Sequence, residues 1–424
     1  MILIVDQPRV HFINEFVSIF LKIMIDSTES LNILDLGVEQ DFDNVLIKTI
    51  ELLNLCLSCV AMSADSIFNN KMKNLDRVDS IPRDIHRTRM ELYLTMASEN
   101  DYEIKFSEIF RLNHKQFDWL ISKCSNLERS KWPIRYKVII YLEWISSKAT
   151  IRQLERLFDV PKSTVQDSLD FVLSQILSIR DQLISLPKVN ECFVIANGFS
   201  RRHKRKNFHH NIVGAVDGTL IEIMVPTERV ENYFDRHSRT SMNLTIVSDH
   251  RNLIRYAITG ISGARHDANV LKDSMLYQKS LYPPPGFIIL GDSAYPNSFS
   301  PIPIISPYRN ETESMIAVHK EKYNEAHSSA RNVVECTFGD LKSKWRRLRD
   351  SKLIVKLEKA ADVIISSVIL NNLTLIDLDQ INSVSTQENS ELTDDEYEND
   401  LPEPKTFQFN NANDYRDLIC NKLI

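Results

Sequence analysis

The chain has 424 residues, more than one compact core usually holds, so we expect at least two domains. Its composition is 43% hydrophobic and 25% charged with only 9 Gly and 15 Pro, which excludes a low-complexity or fibrous protein. The net charge of -6 is unevenly spread, because residues 381–404 hold eight acidic and no basic residues. The rest of the chain is therefore weakly basic.

The sequence indicates an intracellular protein with no membrane partner. No run of about 18 uncharged apolar residues occurs, so no transmembrane helix is predicted. Asp6, Arg9 and Glu15 near the beginning do not give the pattern of a signal peptide. The six cysteines follow no framework spacing, which suits a reducing compartment.

Amphipathic periodicity predicts a helical first half. We assign 1–85 to a helical N-terminal extension and 86–185 to a helical domain. Residues 186–211 are a basic linker, and its RRHKRK run at 201–206 holds five basic residues. Three interpretations of this run are open: a nuclear import signal, a phosphate-binding patch or a solvated loop.

The helical domain contains one specific pattern, ATIRQLERLFDVPKSTVQDSLDFVL. Two short amphipathic helices are separated by residues 159–161, and Pro161 suits the first turn of the second helix. This spacing is typical of a helix-turn-helix, whose second helix would contact DNA through Lys162 and Gln166. An ordinary helical hairpin is the alternative, since two aspartates on the same helix would repel phosphates.

From 212 to 378 the pattern changes to strands and helices. NIVGAVDGTLIEIMV is apolar on both faces, as in a covered sheet, and residues 241–263 read as a hairpin turning at 249–252. HDANVLKDSMLYQKS reads as a helix with Asp267 as its N-cap. FIILGD and IPIISPY add two strands, a long helix runs from about Ala326 to Leu348, and ADVIISSVILNNLTLI closes the core. The sequence therefore predicts an α/β domain with a sheet flanked by helices.

The segment 379–424 is predicted to be an acidic, largely disordered tail. Its last residues, NDYRDLICNKLI, have the pattern of a short helix that docks back on the domain.

Three acidic residues occupy unusual positions. Asp217 lies inside an apolar strand, Asp292 ends another, and Glu335 lies on the long helix. Carboxylates are rarely buried unless paired or bound to metal, and the carboxyl ends of strands are where α/β sheets usually place their sites. Three such ligands at one point would hold Mg²⁺, and the bound metal would assist the cleavage of phosphodiester bonds. Taken singly, each acid is also explained as a turn residue or a solvated helix residue.

The helix that carries Glu335 has a row of polar residues beside its apolar stripe. Gly339 is unexpected there, because glycine in a helix interior costs about 1 kcal/mol relative to alanine. A bare surface one turn from Glu335 would let a phosphate backbone or a metal approach, and the cations would bind flanking phosphates. The row consists of Arg331, Glu335, Gly339, Lys342, Arg346 and Arg349, and Lys344 and Arg347 add to the basic cluster.

Four segments resemble the catalytic domain of PIF/Harbinger-type transposases, including the Harbinger transposase-derived nucleases of animals. They are VGAVDGT, GARHDANVL, LGDSAYP and HSSARNVVECTFGDLKSKWRRL, in the family's order and spacing. The resemblance implies an RNase H-like fold and a catalytic metal triad of Asp217, Asp292 and Glu335. It also implies cleavage and transfer of strands of double-stranded DNA.

The resemblance extends to cofactor and partners. The charge of the three carboxylates suits two Mg²⁺ ions, replaceable by Mn²⁺, and the resemblance adds Asp267 as a further candidate ligand. A Myb/SANT-like DNA-binding protein and a second copy of the chain are candidate partners. The expected location is the nucleus, and also the cytoplasm, with import that depends on a partner.

Two departures from the family pattern bear on activity. Leu220 and Asn371 stand where the family often has histidine. Neither change removes a triad carboxylate. Three functions stay open: a transposase, a host-adopted nuclease without transposition, and a non-enzymatic DNA-binding or scaffold protein that uses the helix-turn-helix.

Overall fold

A five-stranded sheet organises the described part of the protein. The structure, a computed structural model, describes residues 83–124, 132–202, 208–224, 233–235, 237–309, 315–349, 352–378 and 411–423. The predictions for 1–82, for most of the RRHKRK run and for 379–410 lie outside these residues. No helix within the described ranges is long and apolar enough to cross a membrane.

The sheet combines antiparallel and parallel pairing. Its strands are β1 (Ile212–Glu222), β2 (Ser241–Ser248), β3 (Ile254–Ser262), β4 (Ile288–Leu290) and β5 (Ile304–Ile305). They lie in the order β3-β2-β1-β4-β5. β1, β2 and β3 are antiparallel neighbours, whereas β4 pairs parallel with both β1 and β5. The predicted sheet flanked by helices is confirmed, and its mixed pairing fits an RNase H-like fold.

Local side-chain chemistry forms the hairpin between β2 and β3. The Asp249 carboxylate accepts hydrogen bonds from Arg251 N at 2.7 Å and Leu253 N at 3.1 Å. Asn252 has a φ of 65°, a left-handed conformation that asparagine tolerates better than most residues. The predicted turn at 249–252 is confirmed.

Eight helices precede the sheet in the described residues. The two helices of the predicted helix-turn-helix are present as the fifth and sixth. A capping box between Thr150 and Gln153 begins the fifth, and Asp159, with a φ of 50°, ends it. Whether the pair binds DNA stays a prediction. The eight are α1 (Arg83–Ser98), α2 (Glu103–Phe110), α3 (His114–Lys123), α4 (Ile134–Ser146), α5 (Ile151–Phe158), α6 (Lys162–Ser178), α7 (Arg180–Leu183) and α8 (Val189–Arg202).

Later helices cover the sheet. They are α9 (Asp267–Lys272), α10 (Met275–Gln278), α11 (Met315–Lys344), α12 (Leu357–Leu373) and α13 (Ala412–Lys422). α8 and α11 pack on β1, and α12 packs on β3.

The long helix α11 differs from its predicted limits. It begins well before Ala326, and it ends at Lys344 because the chain turns at the buried Trp345 into a 3-10 turn at Arg346–Leu348. Arg346 and Arg349 therefore do not continue the helical row of Glu335, which corrects that part of the prediction.

The helical segment and the sheet share one hydrophobic core. α6 packs on both α4 and α12, and the buried Tyr141 hydroxyl lies 2.7 Å from Ser366 Oγ of α12. Residues 82–424 form one compact unit. The limits 86–185, 186–211, 212–378 and 379–424 stay predictions.

The C-terminal helix returns to the sheet, as predicted. Tyr308 OH donates to Asp417 at 2.5 Å, and Arg416 donates to Ser306 O at 3.2 Å. The Arg416 guanidinium also lies 4.0 Å from the centre of the Tyr308 ring. These contacts hold α13 beside β5, and α13 also packs on α11.

Candidate active site

The pairing of β1 with β4 brings two of the three acids together. Ala215 of β1 lies beside Leu290 of β4 in parallel register. Asp217 and Asp292 each stand two residues further along, so both carboxylates lie where β4 ends. Asp292 Oδ1 accepts a hydrogen bond from Ala294 N at 2.9 Å, which orients this side chain. The structure places these two acids as neighbours, as the strand pattern predicts.

Asp217 is a largely buried carboxylate, and its surroundings disfavour its ionised form. Burial raises its pKa to about 6, and the charges of Asp292 and Asp267 act in the same direction. The Gly218 N–H, which donates to Asp217 Oδ1 at 2.8 Å, and the Arg331 guanidinium both lower this pKa. Burial outweighs these two contacts and disfavours the ionised carboxylate, and a bound cation would favour that ionised form.

Arg331 joins the first and third acids. Its guanidinium donates one hydrogen bond to Asp217 Oδ2 at 2.9 Å and another to Glu335 Oε1. Arg331 precedes Glu335 by one turn of α11, so one helix face presents both groups to β1. In the sequence Arg331 is only part of the basic row. Its spacing of four residues before Glu335 is the sequence signal that the two side chains can form an ion pair on one face of the helix.

Asp267 is not the N-cap of α9, which corrects the local prediction. His266 occupies the N-cap position, and Asp267 is the first helical residue. Asp267 Oδ1 instead accepts a hydrogen bond from Asn243 Nδ2 of β2 at 2.7 Å. A Cβ on Gly218 would lie only 2.4 Å from Asp267 Oδ1, so the missing side chain admits this close approach. Asn243 is a site residue that no sequence pattern indicated.

Tyr295 brings a buried hydroxyl to the same acids. Burial raises its pKa well above the ordinary value, and the charges of Asp267, Asp217 and Asp292 raise it further. Within the described residues this hydroxyl has no hydrogen-bond partner. It is available to a ligand or a water at the site. The sequence offers no signal for it beyond its closeness to Asp292.

The donor chemistry suits a hard divalent cation. Carboxylate oxygens are the ligands that Mg²⁺ prefers, and Asp217 and Asp292 are adjacent, with an unpartnered hydroxyl beside them. The acids do not form a closed shell. In the described ranges, no three His, Cys, Asp or Glu side chains are grouped closely enough to hold an ion. The Arg331 guanidinium lies between Asp217 and Glu335.

The cations predicted to bind DNA have different environments. Lys342 donates to Thr219 Oγ1 at 2.7 Å, on the strand that carries Asp217. Arg346 and Arg349 are exposed. Lys344 donates to Thr374 Oγ1 at 2.8 Å, and burial lowers its pKa. Lys344 therefore stabilises the contact between α11 and the end of α12.

Arg347 is buried and bonded within the protein. Its guanidinium donates to Trp144 O at 2.8 Å and to Ala149 O, and it stacks 4.4 Å from the Trp144 ring centre. Burial lowers its pKa to about 10. Arg347 thus links the helical segment to the end of α11, and its guanidinium lies beneath the surface rather than on it.

Lys162 and Gln166 line a groove between α6 and residues 352–359. Gln166 Nε2 donates to Asp170 at 3.1 Å, and Asp170 pairs with Lys359 of α12 at 2.6 Å. The predicted recognition helix, α6, therefore packs on α12 and is joined to it by this ion pair. No observation in the structure brings Lys162 or Gln166 to the three acids.

Residues 216–372 match the family model described as DDE superfamily endonuclease. The protein named Putative nuclease HARBI1 from Rattus norvegicus is 30% identical over 168 residues, which cover 39% of this chain and 46% of that relative. The proteins of that name from Bos taurus and Homo sapiens are each 29% identical over 170 residues, with the same coverage. The match thus spans less than half the length of these curated relatives. No solved structure matches the chain.

Proposed function

Because residues 216–372 match the family model of a DDE superfamily endonuclease, as the sequence resemblance predicted, we propose that this protein cuts double-stranded DNA in a metal-dependent reaction. The catalytic groups are Asp217, Asp292 and Glu335. The observation that carries the proposal is the arrangement around β1: Asp217 lies beside Asp292 through strand register and is joined to Glu335 through Arg331.

Each acid has a distinct part in the proposed reaction. Asp217 and Asp292 supply adjacent carboxylate oxygens, and Glu335 supplies a third from α11. Two Mg²⁺ ions, when bound, stabilise charge on the reacting oxygens and lower the pKa of the attacking water. Arg331 limits repulsion between Asp217 and Glu335. The Asn243 side chain orients Asp267, which adds negative charge beside Asp217 and is a further candidate metal ligand.

In the first step, water forms a bond to phosphorus and the bond to the 3′-oxygen breaks, leaving a 3′-OH. In a transposase that 3′-hydroxyl then attacks a phosphodiester of target DNA. A bond forms between the 3′-oxygen and the target phosphorus, and the bond from that phosphorus to the target strand's own 3′-oxygen breaks. The substrate would be the ends of a transposable element. A host-adopted nuclease would carry out the first step without the second.

The DNA would approach over the open side of α11. Apart from the neighbouring residues and backbone of α11 itself, no described atom lies within 4 Å of the position that a Cβ on Gly339 would take. Gly339 stands one turn beyond Glu335, so a phosphate backbone can come close to the helix there. Lys342, Arg346 and Arg349 then bind flanking phosphates.

The alternative is DNA binding without cleavage, through Lys162 and Gln166. The exposure of Lys162 at the start of α6 favours it. We further propose location in the nucleus, aided by the RRHKRK run, and cooperation with a Myb/SANT-like DNA-binding partner. A second copy of this chain would place two active sites on two DNA ends.

A matched pair of variants on α11 tests the proposal. Glu335→Gln removes a triad carboxylate, whereas Glu321→Gln changes an exposed acid of the same helix. With Mg²⁺ and a duplex carrying the element's termini, we expect Glu335→Gln to lose at least about a hundredfold in cleavage rate, and Glu321→Gln to cleave like the wild type. Equal cleavage by both variants would remove Glu335 from the active site. Mg²⁺-independent DNA binding that requires Lys162, without cleavage, would favour the alternative.

A further inference from the structure

A cationic groove lies beside the helix pair and is lined by none of the three acids. It has a volume of about 760 Å³ and is formed by the end of α4, by α5 and α6, and by residues 352–359 with the start of α12. We call it the α5–α6 groove. Its volume is in the range of sites that bind a small ligand or a short peptide.

The charge of this groove is strongly one-sided. Lys148, Arg152, Lys162 and Lys356 are exposed, and none has an ion-pair or hydrogen-bond partner within the described residues. They come from two separate parts of the chain. Asp170 is the single acid among the described lining residues, and Lys359 already neutralises it at 2.6 Å. The groove therefore has an unsatisfied preference for anionic groups.

The inner surface of the groove is aliphatic. Ile151, Leu169, Leu173 and Val363 line it, and Ile354 stands 65% exposed at its edge. Nucleic-acid sites that bind single strands use exposed aromatic rings for base stacking. The aromatic rings here, Tyr141 and Trp144, are buried. A ligand that matches this groove needs apolar side chains as well as negative charge.

We propose that the α5–α6 groove binds an extended acidic peptide of a partner protein, in which aliphatic residues alternate with Asp or Glu. Successive side chains of an extended chain point to opposite sides. The aliphatic side chains contact Leu169 and Ile354, and the carboxylates pair with Lys148, Lys162 and Lys356. The inference goes beyond DNA cleavage and does not depend on it.

The test measures fluorescence anisotropy of a labelled synthetic peptide in which Leu alternates with Asp or Glu, titrated with the full chain. We expect binding that is lost when Asn and Gln replace the acids, or when Ser replaces Leu. Lys148→Glu with Lys356→Glu should weaken binding by at least about tenfold, because two attractive contacts become repulsive. Ile354→Ser should also weaken it. Lys279→Glu, a reversal at an exposed lysine that does not line the groove, should leave it unchanged.

Three results of the binding measurements would overturn the proposal. The first is absence of peptide binding by the wild type. The second is equal weakening by Lys279→Glu, which would indicate nonspecific charge attraction. The third is that DNA displaces the peptide and that the double variant, Lys148→Glu with Lys356→Glu, binds this DNA more weakly than the wild type does. The groove would then be a nucleic-acid site.

A photocrosslinking residue in place of Ile354 identifies the occupant. A crosslink to the probe supports the proposal, and an intrachain crosslink to 381–404 contradicts a partner peptide.

Discussion

Replacing Asp217 by asparagine should change how the stability of the protein depends on pH. The carboxyl has a pKa of 3.8 in an ordinary setting and about 6 in the folded protein. Between these values the folded state holds a proton that the unfolded chain has lost, so the free energy of unfolding falls as pH rises. Above about pH 6 both states are ionised and the dependence ends.

The size of the effect follows from the shift. A rise of about two pKa units, at roughly 1.4 kcal/mol for each unit, gives an upper value of ~3 kcal/mol. The Asp217 side chain is 17% exposed, so solvent screening removes little of this. Relative to Asp217→Asn, the wild type should lose about 2 to 3 kcal/mol between about pH 4 and pH 7.

Urea unfolding in EDTA, followed by tryptophan fluorescence at several pH values, measures this difference. All four tryptophans lie in the unit that contains Asp217. The subtraction cancels the titration of other groups, since they are common to both proteins. A wild-type-minus-variant difference that stays constant from about pH 4 to pH 7 would refute the argument that burial and neighbouring acids perturb Asp217.

Two matched pairs give further predictions. Gly218→Ala places a Cβ against Asp267 and should destabilise the fold by roughly 1 to 3 kcal/mol, whereas Gly339→Ala meets open space in a helix and should stabilise it by about 1 kcal/mol. Asn372 exchanges hydrogen bonds with both backbone polar groups of Ile254 and donates to Leu183 O, so Asn372→Ala should cost roughly 3 kcal/mol. The buried amide of Asn371 has no partner within the described residues, so Asn371→Leu should stabilise the fold by about 1 kcal/mol. Urea unfolding checks all four, and the same sign within either pair would contradict the contacts described.

The strands were predictable because their signals are local. An apolar run on both faces indicates β1, and the Asp249 turn chemistry fixes the next hairpin. The sequence therefore predicts where Asp217 lies on β1 and where Asp292 follows β4. The structure adds that β1 and β4 are adjacent. Parallel register then makes the two acids neighbours.

The remaining features depend on contacts between distant segments. The Asp267 side chain bonds to Asn243 of β2 rather than to the start of its own helix, and no local pattern encodes that choice. The Arg347 guanidinium donates hydrogen bonds to the backbone carbonyls of Trp144 and Ala149. These residues precede Arg347 by 203 and 198 positions in the chain. A basic residue near a basic helix looks like a DNA contact until tertiary packing removes it from the surface.

Cleavage by Asp292→Asn tests the central claim most directly. The substrate is a duplex with the element's termini, in Mg²⁺, and the measured quantity is the initial rate of strand cleavage. Asp273→Asn is the control, since Asp273 is exposed and pairs with Arg265 on the surface. We predict Mg²⁺-dependent cleavage by the wild type and the control, and a loss of at least about a hundredfold in Asp292→Asn. Cleavage by Asp292→Asn at the wild-type rate would contradict the assignment of Asp217, Asp292 and Glu335 as the catalytic site.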